Sequence, residues 1–124
     1  MLFAIMPWTV IFHDSFDSEF SKMSLEVQSA LAAKALMLEH YGPALGRPHV
    51  DTLKASRHAN MKELRFDADD GVWRVAFAFD HDRRAVLLLA GDKSGVSEKR
   101  FYKSLIATAD ARFDAHQTKL RSTK

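Results

Sequence analysis

The amino-acid sequence predicts one α+β domain, in which helices pack on one face of a mostly antiparallel sheet of about four strands. Two observations predict this class. Short apolar runs typical of strands are separated by turn residues, and longer segments repeat apolar residues at helical spacing. The predicted order is β-α-α-β-β-β-α over residues 1–124. With 124 residues, 47% of them hydrophobic, the chain is sufficient for one core.

The first predicted elements are a strand and a short helix. Residues 8–12 combine aromatic and β-branched side chains after a proline, which favours a strand. Asp14 or Ser15 is predicted to cap the helix that follows. Its apolar stripe consists of Phe16, Phe20 and Met23.

A second helix is predicted from Ser24 to the break at Gly42 and Pro43. Its apolar positions repeat at helical spacing and are Val27, Leu31, Ala35 and Leu38. Residues 42–60 contain two Gly-or-Pro breaks and a polar stretch, so an irregular connection is predicted there. A connection of this length is either functional or partly disordered.

Three further strands are predicted at residues 61–66, 72–79 and 85–90, joined by hairpin turns. The third run is apolar at nearly every position, which predicts the central strand. The carboxylates near the first turn, Asp67, Asp69 and Asp70, are interpreted as a solvated turn.

The last helix is predicted to begin after a cap at Ser97. Its apolar stripe consists of Phe101, Leu105, Ala109 and Phe113. From about residue 116 the apolar spacing fades into a basic tail, for which poor order is predicted.

The composition excludes several classes of protein. The chain has no cysteine, which excludes disulfides, thiol nucleophiles and cysteine zinc sites. The apolar opening at residues 1–6 ends at Pro7 and lacks a basic segment, so no secretion signal is expected. No apolar run is long enough to span a bilayer. A cytoplasmic protein without membrane association is predicted.

The charges are unevenly distributed along the chain. The first 46 residues carry two Lys/Arg and five Asp/Glu, whereas the remainder carry 16 and 11. The net charge of +2 is therefore −3 in the first part and +5 in the second. This asymmetry favours contact between a polyanion and the second part, although solubility alone explains it equally well.

One predicted strand places an arginine among small residues. Alternation puts Arg74 on the face opposite the large apolar groups of its strand, beside two alanines. By the same parity, Arg65 converges with it over an open patch. Lys93 shares the parity of Leu87, Leu89 and Gly91 and follows the end of their strand, so it is predicted to reach the same patch. A guanidinium group matches phosphate geometry in a bidentate manner, so a phosphate site is one interpretation. Routine cross-strand pairing of Arg74 with Glu63 is the other.

The segments MKELRF (61–66), VWRVAFAFD (72–80) and AVLLLAGDKSG (85–95) resemble the RelE/ParE superfamily of toxins, in particular its HigB-like, phage-derived branch. The resemblance covers about residues 7–115 in element order. It implies a small RelE-like fold and the toxin of a type II toxin-antitoxin system. It further implies a ribosome-dependent endoribonuclease that cleaves mRNA without a metal or cofactor. The implied partners are an antitoxin with a helix-turn-helix DNA-binding domain, the ribosome and mRNA.

The resemblance also implies roles for individual residues. Arg74 matches the arginine expected to stabilise transition-state charge, and Lys93 matches the basic residue that contacts phosphate. Arg65 matches the Leu-Arg arginine, which binds phosphate or is structural. Tyr102 stands for the tyrosine that some relatives use in stacking or proton transfer.

The sequence departs from the family at Glu63, where RelE-like members carry a lysine. This departure puts a lysine base in doubt, and Lys62, Lys54 or His58 are the predicted substitutes. His58 has a suitable ordinary pKa for proton transfer. Further RNA or phosphate contacts are predicted at Lys62, Lys54 and Arg57.

Two other interpretations follow from these residues. A metal site formed by His49, Asp51 and His58 lacks a recognised ligand spacing, and a polar surface loop is preferred. The alternative to the nuclease is a non-catalytic toxin or binding module, such as a ParE-like gyrase inhibitor.

Overall fold

A computed structural model describes residues 7–123 of the chain and contains three α-helices and five strands over this range. The apolar opening, residues 1–6, lies outside the described residues. The elements, in chain order, are β1 (Thr9–Phe12), α1 (Asp14–Phe20), α2 (Leu25–Tyr41), a 3-10 turn (Gly42–Ala44), β2 (Val50–Thr52), β3 (Lys62–Ala68), β4 (Gly71–Phe79), β5 (Arg84–Asp92) and α3 (Glu98–Ser122). Within residues 7–123, no helix is both long and apolar enough to cross a membrane.

The strands form one sheet in the order β1-β5-β4-β3-β2. Among the strands of residues 7–123, only β1 runs parallel to its neighbour, β5, and the other three pairs are antiparallel. The predicted α+β class is therefore confirmed. The prediction that the third apolar run is the central strand is wrong, because β4 lies in the middle. Burial of β5 on both faces explains why its sequence is almost wholly apolar.

Helices α1 and α2 cover one face of the sheet. Phe16 of α1 is fully buried, and α2 contributes Val27, Leu31 and Leu38 to the same core. They pack against the alternate β4 side chains Val75 and Phe77, as period-two alternation predicts. Ser24 caps α2 as expected, whereas α1 is capped by His13, whose Nδ1 accepts from the Ser15 amide at 3.2 Å.

Helix α3 covers the opposite face of the sheet. Its apolar stripe consists of Phe101, Leu105, Ile106, Ala109 and Phe113. These side chains pack on Ala76 and Ala78 of β4, which are 0% and 1% exposed. The prediction that all helices share one face is therefore wrong. The described part of the chain forms three layers, and both faces of its sheet belong to the core.

The connection at residues 42–60 contains a fifth strand that the sequence did not reveal. β2 is only three residues long and pairs with β3 at the sheet edge. Alternation cannot be recognised in so short a run, because three residues provide too few positions to establish a period.

Helix α3 continues through residues 116–122, where poor order was predicted. Two polar contacts connect this segment with the rest of the domain. His116 Nε2 lies 2.8 Å from a carboxylate oxygen of Asp80, and Lys119 Nζ lies 3.7 Å from Asp14 Oδ2. Because these partners are distant in sequence, the fading apolar spacing gave no sign of them.

Candidate functional site

Five charged or phenolic side chains meet near the beginning of α3, and we call them the Glu63 cluster. Its members come from β3, β4, the position directly after β5, and α3, and they are Glu63, Arg65, Arg74, Lys93 and Tyr102. The structure therefore brings together the four predicted residues Arg65, Arg74, Lys93 and Tyr102. The fifth member, Glu63, had been noted as a departure from the family pattern and as a cross-strand partner of Arg74, and the two side chains do lie 3.7 Å apart.

Strand register explains this convergence. Arg65 lies directly opposite Arg74 across the β3–β4 pair, and Arg74 lies opposite Gly91 across the β4–β5 pair. A β-bulge between these last two strands leaves Leu88 unpaired, because Ala76 faces Leu89 and Phe77 faces Leu87. The bulge shifts the parity of the following residues by one position.

The shift in parity decides where the end of β5 points. Leu87 belongs to the core beneath α1 and α2, whereas Leu89 packs with the core beneath α3. The predicted shared parity of Leu87, Leu89, Gly91 and Lys93 is therefore wrong, although Lys93 still reaches the predicted face of the sheet.

Glu63 lies between the two arginines and below the tyrosine. The Tyr102 hydroxyl donates a hydrogen bond to Glu63 Oε1 at 2.8 Å. Arg74 Nε is 3.7 Å from the same oxygen, and Arg65 Nε is 3.9 Å from Oε2. Two directly opposed arginines repel each other, and the carboxylate between them offsets that repulsion.

The Arg74 side chain is buried, with 8% of its surface exposed. Its Nη1 donates to the Trp73 carbonyl at 2.9 Å, while Nε has no hydrogen-bond partner within residues 7–123. The predicted open patch beside Arg74 is wrong, because α3 covers Ala76 and Ala78. Small side chains at these positions provide the surface on which α3 packs.

Lys93 and Tyr102 lie closer to solvent. Lys93 Nζ is 5.8 Å from the centre of the Tyr102 ring and 3.1 Å from Glu98 Oε1. The Lys93 side chain is 20% exposed, the Arg65 side chain is 31% exposed, and Tyr102 is half-buried. A ligand approaching the cluster therefore meets these three side chains before it meets Arg74 or Glu63.

Burial governs the protonation of the two central groups. Burial raises the pKa of Glu63 above its ordinary value, and the Tyr102 hydrogen bond and the charges of Arg74 and Arg65 offset this only in part. Burial, together with the hydrogen bond to Glu63, also raises the pKa of Tyr102. The cluster thus holds a carboxyl group with an increased affinity for a proton next to a phenol that donates to it.

Other predicted site residues lie elsewhere. His58 Nε2 is 2.8 Å from Asp114 Oδ1, and Arg57 forms an ion pair with the same carboxylate, toward the end of α3. Lys62 belongs to the opposite sheet face, because it is paired with Phe77 of the α1–α2 core. Lys54 is exposed in the connection before β3.

The residues considered for a metal site are already engaged by other side chains. His49 Nδ1 is 2.8 Å from Lys34 Nζ, and Arg47 donates to Asp51 Oδ2 at 2.9 and 3.2 Å. Within residues 7–123, no group of three His, Asp or Glu side chains is arranged to hold a metal ion.

Sequence reasoning missed a second polar cluster, which we call the Asp80 cluster and which consists of Asp80, Arg84 and His116. The Asp80 side chain is fully buried and accepts hydrogen bonds from both partners. The only sequence signal was an aspartate at the start of a hairpin turn, which is common in turns without any such role.

Comparisons with known proteins give a consistent result. The family model of the phage-derived Gp49-like proteins matches residues 18–114. Two Mycobacterium tuberculosis proteins that carry the names of toxins are similar to the chain. HigB2 is 42% identical over 100 residues, which cover 80% of this chain and 49% of HigB2. HigB3 is 43% identical over 93 residues, which cover 75% of this chain and 79% of HigB3. The aligned part thus spans about half of HigB2.

A solved structure shows the same fold. A mutant of the Escherichia coli toxin RelE in the free state aligns with a TM-score of 0.58 over 82% of this chain and 96% of that chain. The sequence identity is 13%, so this likeness concerns the fold alone.

Proposed function

The chain belongs to the Gp49-like family of phage-derived proteins, and on this premise we propose that it is the toxin of a toxin-antitoxin system. Its action would be cleavage of mRNA on the ribosome, in the cytoplasm and without a metal ion. The observation that carries the proposal is the meeting of Arg65, Arg74 and Lys93 with Tyr102 in one cluster. Three cations of this kind suit a phosphate whose negative charge increases during the reaction.

The proposed chemistry is attack by a ribose 2′-hydroxyl on the adjacent phosphate. Lys93 and Arg65, which are partly exposed, would contact the phosphate oxygens directly. The buried Arg74 would then act through its charge from beneath Glu63 and Tyr102, without touching RNA in this arrangement. This role differs from the direct contact that an open patch would have allowed.

Growth arrest and message cleavage test the proposal. Expression of the wild-type chain in bacteria is expected to arrest growth and to produce new mRNA ends within codons. Lys93→Ala removes one charge-stabilising donor, for which a loss of about 100-fold in cleavage is expected. Arg121→Ala is the matched control, because Arg121 is an exposed cation in the last turn of α3. Equal cleavage by a folded Lys93→Ala protein would contradict the assignment.

Arg74→Ala tests the buried positive charge of the Glu63 cluster. We expect it to relieve growth arrest while leaving antitoxin binding intact. Because the side chain is buried, thermal unfolding of each purified variant must show that loss of toxicity is not loss of fold. Arg74→Lys retains the charge and is expected to retain part of the activity, whereas full toxicity of Arg74→Ala would remove Arg74 from the site.

A second candidate function is a non-catalytic toxin, such as an inhibitor of gyrase. The observation that favours it is the coverage of Ala76 and Ala78 by α3, which leaves no open floor beside Arg74. Message mapping separates the two candidates. DNA damage with intact messages would support the gyrase inhibitor, and new message ends would support the nuclease.

The proposed partner is an antitoxin with a helix-turn-helix DNA-binding domain. Co-expression of this chain with the protein encoded by a neighbouring reading frame of that type is expected to restore growth. A stable complex should then co-purify. Growth arrest that persists despite co-expression would contradict this pairing.

A further inference from the structure

Glu63 occupies a position that the mechanism above does not use. Resting on the proposed function, we propose that Tyr102 and Glu63 form a proton relay for RNA cleavage. Tyr102 accepts the proton of the ribose 2′-hydroxyl and passes its own phenolic proton to Glu63. Tyr102 is then the catalytic residue that touches RNA, and Glu63 is a positioning residue that acts through it.

The direction of the hydrogen bond supports this arrangement. The Tyr102 hydroxyl donates to Glu63 Oε1 at 2.8 Å, so the proton that must leave already points at its acceptor. The lone pairs of the phenolic oxygen are then available to accept the ribose hydroxyl proton. Glu63 is too buried for direct contact with RNA, with 6% of its side chain exposed, whereas Tyr102 is half-buried.

The charges around Glu63 suit a proton acceptor. Arg65 and Arg74 lie within 4 Å of the carboxylate but donate no hydrogen bond to it among the contacts of residues 7–123. They favour the ionised form, while burial and the charge of Asp51, which lies opposite Glu63 across the β2–β3 pair, favour the protonated form. The net effect raises the pKa of Glu63, which brings it closer to the range in which a base is effective at neutral pH.

The step balances without an added reactant. The 2′-oxygen forms a bond to phosphorus as its proton moves to Tyr102 and the phenolic proton moves to Glu63. The bond from phosphorus to the 5′-oxygen breaks, and the leaving oxygen takes a proton from the Lys93 ammonium group. The products are a 2′,3′-cyclic phosphate and a 5′-hydroxyl. Glu63 then releases a proton to solvent and Lys93 takes one up, which restores the starting protonation states.

A purely structural role for Glu63 makes a different prediction. If the carboxylate only offsets repulsion between Arg65 and Arg74, its replacement changes stability but not the dependence of cleavage on pH. The relay instead requires ionised Glu63, so cleavage should rise with pH through the folded-state pKa of this group. A Glu63→Gln variant tests the relay without changing the other charged and titratable groups around Glu63. These groups are Arg65, Arg74, Tyr102, Asp51 and Lys93.

The experiment measures single-turnover cleavage of mRNA bound to purified ribosomes from pH 5 to pH 9. Glu63→Gln keeps the size of the side chain and removes its basicity, and a loss of about 100-fold or more is expected. The acid limb of the wild-type profile should disappear, while ribosome binding stays within about threefold. Glu26→Gln is the matched control, because Glu26 is exposed on α2 across the sheet. Tyr102→Phe removes the phenolic hydroxyl group. If Glu63→Gln fails to fold, the pH profile of Tyr102→Phe tests the relay instead.

The outcomes separate the relay from the proposed function. If the wild type cleaves mRNA and folded Glu63→Gln cleaves within threefold with the same acid limb, the relay is overturned and the nuclease stands. An unchanged acid limb in Tyr102→Phe overturns the relay in the same way. If the wild type leaves ribosome-bound mRNA intact, the proposed function fails and the relay fails with it.

Discussion

The two ends of α3 hold polar clusters of contrasting design. In the Asp80 cluster, the fully buried carboxylate accepts hydrogen bonds from His116 at 2.8 Å, from Arg84 Nε at 2.9 Å, and from the Asp82 and Arg84 amides at 2.9 and 3.1 Å. In the Glu63 cluster, one hydrogen bond from Tyr102 is accompanied by two guanidinium groups at 3.7–3.9 Å. Both carboxylates are buried, and each cluster contains one guanidinium nitrogen without a hydrogen-bond partner within residues 7–123, Arg84 Nη2 and Arg74 Nε. The difference lies in the carboxylates, because Asp80 accepts four hydrogen bonds and Glu63 accepts one.

The pKa directions record the same difference. Burial by itself raises the pKa of Asp80, but hydrogen bonds from His116 and Arg84 outweigh it and lower the pKa below its ordinary value. At Glu63 burial prevails and the pKa is raised. A carboxylate with its full set of donors stabilises the native state as an anion. A buried carboxylate that accepts one hydrogen bond, as Glu63 does, suits a site that takes up a proton. This difference separates the structural role of Asp80 from the chemistry proposed for Glu63.

The largest expected effect is the loss of the Asp80 carboxylate. Asp80→Ala leaves Arg84 and His116 without their shared partner at a buried position. Removing one member of a buried charged pair typically costs about 3–5 kcal/mol of unfolding free energy. Urea unfolding of the purified chain measures this loss. Asp67→Ala, an exposed carboxylate on β3, is the matched control and should change stability by less than about 0.5 kcal/mol. Equal effects of the two substitutions would show that the Asp80 cluster is not structural.

A smaller effect is expected at Asp110, which joins α3 to the connection before β3. Its carboxylate accepts from the Ser56 hydroxyl and from the Arg57 amide at 3.3 Å, and the residue is 6% exposed. Asp110→Ala should cost about 1–3 kcal/mol, because both donors lose a partner in a partly buried position. Limited proteolysis should then cleave faster within residues 53–60. Unchanged stability together with unchanged cleavage in that segment would contradict this role.

The two clusters should also respond to pH in opposite directions. The lowered pKa of Asp80 contributes stability above its unfolded value near 3.8, and this is lost as pH falls through the folded pKa. The raised pKa of Glu63 contributes stability below its unfolded value near 4.5, and this is lost as pH rises through the folded pKa. Relative to wild type, Asp80→Asn should therefore become less stable as pH rises from acid, and Glu63→Gln more stable.

Urea unfolding midpoints of the wild type and both variants, measured from pH 3 to pH 7, check these opposite pH dependences. Parallel curves for Glu63→Gln and the wild type would show that Glu63 does not take up a proton in the native state at higher pH than in the unfolded chain.

The sequence predicted the hairpins and the faces of β4, because alternation over nine residues is a strong local signal. It predicted the convergence of Arg65, Arg74 and Lys93 without the bulge that alters the parity of β5. The main error of the sequence-based prediction was to interpret the small residues beside Arg74 as an open patch. A Cβ placed on Gly91 would lie 2.9 Å from the ring of Phe101, so that position is small because α3 packs against it. Which face a terminal helix covers depends on tertiary packing, which periodicity does not encode.

The smallest expected effect concerns the end of α3, where poor order was predicted. Lys119 and Asp14 are 3.7 Å apart, with 72% and 92% of their side chains exposed. Solvent and salt screen such a pair, so Lys119→Ala should change unfolding free energy by less than about 0.5 kcal/mol. His116 lies one turn earlier with 11% of its side chain exposed and bonds to Asp80, so His116→Ala should cost clearly more. If urea unfolding gives equal losses of stability for Lys119→Ala and His116→Ala, the end of α3 is not held through the Asp80 cluster. The structural role assigned to that cluster would then be wrong.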